Sequence, residues 1–292
     1  MNAKSNQLIP DEVLFARKGV EVHPTSMVSP KAEIGEGTVI GPWCIIGDNV
    51  SIGRYNTLKS NAIIEGNVAI GDGSFIHQFV TIGNHSHDLK FSDAEKTTVT
   101  IGAGCVVREF TNIHAGTPNS PRGTWIGDDV YLMSHCHIGH DCEIFDHAIL
   151  SQGVTLGGEV IIQERAIIGG GSSVHQFCTV GAYAIVGGMT GVSQDVIPYG
   201  MSAGIRPQNL DGLNLVGLKR NNFSIEDIRI IKDVYKDLFL SSDGLWAERV
   251  AIAKSVYDKY PVAHRIFEFI EKDSRRIIAK PRGKYKTEPE EQ

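Results

Sequence analysis

The run Ser134-His135-Cys136-His137-Ile138-Gly139-His140-Asp141 is the densest cluster of titratable groups in the chain. A histidine beside a carboxylate is what general-base catalysis uses, because the carboxylate orients the ring and makes it more basic. His–Asp pairs also serve as plain structural hydrogen bonds, so the pair alone leaves both readings open. A metal reading competes as well: His135 and His140 lie five apart. Zinc would need a further ligand, for which His114 is the nearest upstream candidate.

Positioning these groups requires a scaffold, and a six-residue period supplies one. Every sixth residue from Val22 to Ile82 is aliphatic; the pattern returns as Ile101, Val107 and Ile113, then runs from Ile126 to Val192. The residue two before each aliphatic is usually small or compact (Ala32, Thr38, Ala62, Ser74, Ala148), and Gly often follows the aliphatic. Neither a 3.6-residue nor a two-residue repeat demands this spacing. It is the hexapeptide pattern of a parallel β-helix, three hexapeptides to each triangular coil, about nine coils in all. The five cysteines, Cys44, Cys105, Cys136, Cys142 and Cys178, fall on the small position and form no CxxC motif, which argues for reduced core residues over disulfides or structural zinc.

Coil arithmetic then aims the candidate site. Cys136 and Ile138 belong to the interior set, which turns His137, His140 and Asp141 toward the outer face. Residues 18 apart stack on successive coils, so Gly158 is expected over His140 and Glu159 over Asp141. A glycine there exposes a backbone N–H, a candidate oxyanion donor.

The period breaks over 84–98 and 114–125, and each break shifts its phase by one residue. Long excursions from a regular scaffold are often functional, though a solvated loop is the plain alternative. The expected domains are an N-terminal extension (1–21), a β-helix (22–198) with those two insertions, and an α-helical C-terminal domain (199–292) with a basic tail. Ser224-Ile225-Glu226-Asp227 reads as a capping box before Ile228, Ile231, Val234, Tyr235 and Leu238, with further helices expected over 244–259 and from about 262 to 278. A net charge of −6 argues against nucleic acid as a partner. No stretch is long and apolar enough for a membrane span, and the N-terminus lacks a signal-peptide core, so a cytoplasmic protein is expected.

The segment Leu132–Cys142 closely resembles the active-site stretch of UDP-N-acetylglucosamine O-acyltransferases, as do Val174-His175-Gln176-Phe177-Cys178, Gly217-Leu218-Lys219-Arg220 and Asp88-Leu89-Lys90. The resemblance runs from about His23 to about Ile278. It implies a left-handed coil, a homotrimer with active sites between subunits, and transfer of a 3-hydroxyacyl chain from acyl carrier protein to the sugar 3-position. That reaction opens lipid A synthesis and uses no metal or organic cofactor. By the resemblance His140 is the general base, Asp141 its orienting partner, and Gly158 the group that polarises the thioester carbonyl. His175 and Gln176 would bind the acceptor and its nucleotide, Asp88 and Lys90 the sugar and diphosphate, and Asn214 and Arg220 the nucleotide. His137 and Glu159 complete the substrate-binding set, and Gly188 and Met189 lie near the acyl-chain ruler. Lys219, Arg220, Arg275, Arg276, Lys280 and Arg282 could steer an acidic carrier protein, or could be a solvated helix face.

Three departures bear on the acceptor. Glu159 stands where the family commonly has histidine, Val216 where it has glutamate, and Asn221 where an arginine would follow Arg220. Glu159 stacked over Asp141 favours a cationic neighbour, which motivates a 3-amino sugar as the alternative acceptor. A zinc hydratase similar to the γ-class carbonic anhydrases, through the His135/His140 pair, and a non-catalytic β-helix scaffold are the alternatives of other classes.

Overall fold

The computed structural model describes residues 15–17, 19–88, 97–204, 208–272 and 274–282. The fold is a left-handed parallel β-helix built of hexapeptide coils, followed by a few α-helices. It divides into two compact units, 1–141 and 142–292.

In the first unit three sheets carry the coils. One opens with an antiparallel pairing of Phe15–Arg17 with Val20–Val22 and continues in parallel through Val39–Ile40, Thr57–Leu58, Phe75–Ile76, Val106–Val107 and Tyr131–Leu132. Another climbs from Glu33–Ile34 to Thr124–Ile126, and the third from Met27–Val28 to His137–Ile138. The six-residue period explains this directly: one aliphatic per short strand points inward. Ile40, Leu58, Ile76, Val107 and Leu132 form one such column, each at most 1% exposed. Burying each stabilises by about 1.5–3 kcal/mol. Ile34 and Val28 lie on end strands of their sheets, with no strand beyond them among the described residues, and are only half-buried.

The small positions do more than fit a tight corner. Thr38 Oγ1 donates to Gly53 O and accepts from Asn56 N–H, Asn56 Nδ2 donates to Gly71 O, and Asn56 Oδ1 accepts from Ser74 N–H. These side chains staple one coil to the next. Cysteine takes the same part, with Cys44 Sγ 3.0 Å from Lys59 O and Cys105 Sγ 3.1 Å from Gly127 O. All five cysteines are buried free thiols.

The other corner of many hexapeptides is left-handed. Trp43, Tyr55, Asn61, Phe79, Phe110, Asp129, His135, Asp141 and His147 all have φ between 53° and 62°. The spacing stays at multiples of six within each phase of the repeat. An L-residue in this region costs roughly 1–2 kcal/mol, which the neighbouring ladders offset.

In the second unit the coils run from Glu143–Ile144 to Gly191–Val192. The chain stays β past Pro198, where Gly200–Ala203 pairs antiparallel with Asn209–Leu213. Among the described residues four α-helices follow: α1 (Leu215–Arg220), α2 (Ile225–Tyr235), α3 (Trp246–Tyr257) and α4 (Pro261–Glu271), with a π-turn Lys236–Leu240 extending α2. The expected capping box is present, Ser224 Oγ accepting from Asp227 N–H and Asp227 reaching back to Ser224 N–H. Ile230, Ile231 and Val234 of α2, Leu238 and Phe239 of the π-turn, and Ile266 and Phe267 of α4 share one core with Tyr199 and Leu210.

The helix expected to reach about 278 stops at Glu271. Residues 274–279 instead run along the coils as a strap, because the buried Asp195 holds them. Its backbone N–H bonds Ile277 O and its carbonyl accepts from Ala279 N–H, both at 2.8 Å. Its carboxylate accepts from Thr179 N–H and Ser274 Oγ and lies 3.4 Å from Lys272 Nζ. A carboxylate with no solvent exposure needs these partners, and a continued helix would forfeit them. Among the described residues no helix is long and apolar enough to cross a membrane.

Candidate active site

In the first unit, His140 and Asp141 follow strand His137–Ile138 at a coil corner, Asp141 with φ 60°. His140 Nδ1 lies 2.8 Å from Asp141 Oδ2. A carboxylate can only accept, so Nδ1 carries a proton, and in the neutral ring Nε2 is the basic nitrogen. The pair is more enclosed than coil arithmetic predicts: Asp141 is only 7% exposed. The second interruption of the period covers it. Thr117, in that excursion, donates its N–H to Asp141 Oδ1 at 2.6 Å and its hydroxyl to Oδ2 at 2.9 Å, while Thr124 Oγ1 accepts from Asp141 N–H. Gly116 makes the approach possible, since a Cβ there would run into Asp141 Oδ1 and the backbone of Gly123. Asp141 is thus held in place while His140 stays 12% exposed at its side chain.

Beside this pair three more imidazoles converge. His114 ends strand Asn112–His114 and is buried, His137 starts the next strand and is half-buried, and His87 reaches in from the first excursion. One nitrogen from each lies within 4.8 Å of the other two. Burial, then the neighbouring His114 and His87, pushes His137 down to about 4. Burial also lowers His114, against the pull of the His85 carbonyl that accepts from its Nδ1. His135 stands apart from this group, stacked on Phe110 with ring centroids 4.9 Å apart. The zinc trio of His135, His140 and His114 is therefore not what the fold assembles; His135 occupies an outward corner at φ 60°. Asp88 is half-buried with its N–H on Ser86 Oγ. Lys90 lies outside the described residues.

In the second unit, His175, Gln176 and Glu159 meet the strap. Arg276 Nη2 donates to His175 Nδ1 at 2.6 Å and its Nε donates to Gln176 O at 3.0 Å. Arg275 lies over the Phe177 ring at 4.4 Å and 3.6 Å from Glu159 Oε2. Arg275 and Arg276 therefore sit on an extended strap against coil residues, and the solvated helix face is not found for them. Gly158 is buried, its carbonyl accepting from Phe177 N–H. Asn214 caps α1, its Oδ1 accepting from Gly217 N–H and its Nδ2 donating to Tyr183 O. Arg220, in the last turn of α1, is exposed, and Asn221 caps that helix while its Oδ1 accepts from Arg165. Val216 is 62% and Met189 69% exposed, with Gly188 beside the latter.

The comparisons with known proteins decide what these coils belong to. The profile described as UDP N-acetylglucosamine O-acyltransferase, Domain 2, matches residues 195–278, and a bacterial transferase hexapeptide profile matches 123–158. An acyl-[acyl-carrier-protein]--UDP-N-acetylglucosamine O-acyltransferase of Rhizobium johnstonii is 38% identical over 264 residues, covering 90% of this chain and 96% of its own. A protein of the same name from Thermodesulfovibrio yellowstonii is 44% identical over 257 residues, 88% and 98% of the two chains. This chain belongs to the UDP-N-acetylglucosamine O-acyltransferase family. The solved Francisella novicida UDP-N-acetylglucosamine acyltransferase superposes with a TM-score of 0.86 at 35% identity, over 90% of this chain and 95% of that one.

In this member of the UDP-N-acetylglucosamine O-acyltransferase family the structure adds two residues that the sequence reading did not select, Thr117 and His87, and sets Arg275 and Arg276 against Glu159, His175 and Gln176. Only the broken period at 114–125 pointed toward Thr117. The expectation of a cation near Glu159 pointed to a kind of group, which the chain supplies itself as Arg275.

Proposed function

We propose that this acyltransferase moves a 3-hydroxyacyl chain from acyl carrier protein to the 3-hydroxyl of UDP-N-acetylglucosamine, the first step of lipid A biosynthesis. The observation that carries the mechanism is the His140 Nδ1–Asp141 Oδ2 bond of 2.8 Å, with Asp141 locked by Thr117. His140 Nε2 takes the proton of the sugar hydroxyl as its oxygen attacks the thioester carbonyl carbon. The carbonyl oxygen gains negative charge, which the Gly158 N–H stabilises. The C–S bond then breaks, and the departing sulfur of the carrier takes the proton back from His140. Asp141 stabilises the imidazolium between these steps without itself taking the proton.

His137, His175, Gln176, Asp88 and Lys90 bind the acceptor in this reading, with Asn214 and Arg220 toward the nucleotide and Gly188 and Met189 at the acyl chain. Glu159 also joins the acceptor set. Its Arg275 partner supplies the cation that its charge calls for, so the site needs no amine on the sugar, and the hydroxyl acceptor is favoured. The protein acts as a homotrimer in the cytoplasm, with acyl carrier protein as donor.

The test is acyl transfer from 3-hydroxyacyl carrier proteins to UDP-N-acetylglucosamine and to its 3-amino analogue, side by side, with His140→Ala as control. The expected product is an alkali-labile ester, with kcat/KM down about 10²–10⁴-fold in the variant. An alkali-stable amide would replace the hydroxyl acceptor by the amino sugar, and full activity in His140→Ala would remove the base.

A further inference from the structure

We propose that His87, His114 and His137 form a binding site for one divalent late first-row transition metal, zinc foremost. The site shares His137 with the acceptor set proposed above, so a bound metal and the acceptor would compete for that ring; the proposal does not rest on that reading.

The ligand set is the first argument. Three imidazoles and no carboxylate suit zinc, cobalt, nickel or copper and discriminate against magnesium and calcium, which take oxygen. The second is placement. Two of the histidines are fixed by neighbouring ladders, with Asn84 paired to His114 and Asn112 to His137. The third, His87, is exposed and reaches in from the first excursion. One nitrogen of each already lies within 4.8 Å of the others. Zn–N bonds of ~2.0–2.1 Å at tetrahedral angles require ligand nitrogens about 3.3 Å apart. The remaining contraction takes side-chain rotations of the three rings, of which His87 is the one not held by a strand.

The third argument is the shell behind the ligands. His114 Nδ1 lies 2.8 Å from His85 O, and a carbonyl only accepts, so that nitrogen is protonated and Nε2 is the one with a free lone pair. A backbone carbonyl holding the far nitrogen of an imidazole is the usual support of a metal-ligating histidine. The exposed His87 side also leaves the fourth coordination position reachable from solvent, as in zinc sites with three protein ligands. The competing account is ring packing alone, since His87 and His114 have centroids 3.9 Å apart and His114 and His137 4.9 Å apart.

The experiment uses the full chain, stripped with chelator and dialysed. Zinc is titrated in competition with a chromophoric chelator, and cobalt is followed by its visible absorption. The expected result is one zinc per chain with a Kd of about 1 μM or tighter and a four-coordinate cobalt spectrum. His87→Gln, on an exposed residue, weakens zinc about 100-fold or more, and His135→Gln leaves it unchanged. Circular dichroism of each variant reports that the coils are intact. Well under one zinc per chain in the parent protein overturns the proposal, as does equal affinity in His87→Gln; either leaves a packing cluster only.

Discussion

Asp141 works from a backbone conformation that an L-residue adopts at a cost, and the corner of the coil imposes it. The benefit is direction: the carboxylate turns back under the 114–123 excursion, where Thr117 holds both its oxygens. Removing the hydroxyl in Thr117→Val leaves the N–H contact to Oδ1 and frees Oδ2 on the side that faces His140. Kcat is expected to fall about 10-fold, the loss of roughly 1.4 kcal/mol, with the acceptor KM little changed. Steady-state kinetics on the variant decide it; an unchanged kcat would show that the backbone contact alone positions Asp141. His140 and Asp141 were legible because they are adjacent and lie in a recognisable motif. Thr117 was not: 24 residues separate it from Asp141, and it stands where the repeat fails, so no periodic argument could aim it. His87 escaped for the same reason, lying in the other gap.

At the level of elements, the repeat fixes which residues make strands, and Ser224 marks where α2 begins. The strap 274–279 defeated that reasoning because Ile277 and Ile278 continue the helical spacing of α4, while the signal that ends the helix is a carboxylate nearly eighty residues earlier, Asp195. Asp195→Asn removes the charge that Lys272 and Ser274 meet, and the amide must find acceptors in a place built of donors. A loss of about 2–4 kcal/mol is expected, read as a lower midpoint in chemical denaturation. If the strap also positions His175 through Arg276, the acceptor KM of this variant rises by more than kcat falls.

Across the molecule, the same six-residue rule that buries the aliphatic columns buries every cysteine. Burial raises Cys44 above the usual thiol range and pushes Cys178 up to about 12. A thiol reagent should therefore titrate none of the five in the native protein near neutral pH and all five after unfolding. A fast-reacting native thiol would contradict the coil assignment at that position. The strap carries a consequence for biosynthesis. The coils contact mainly their neighbours and can stack as the chain leaves the ribosome, each one closing on the one before. His175 and Gln176 acquire Arg276 only after a further hundred residues have been translated. The nascent polypeptide thus gains most of its architecture well before His175 and Gln176 meet their arginine, and a ribosome stalled between α4 and the strap would display a folded scaffold with that contact unmade.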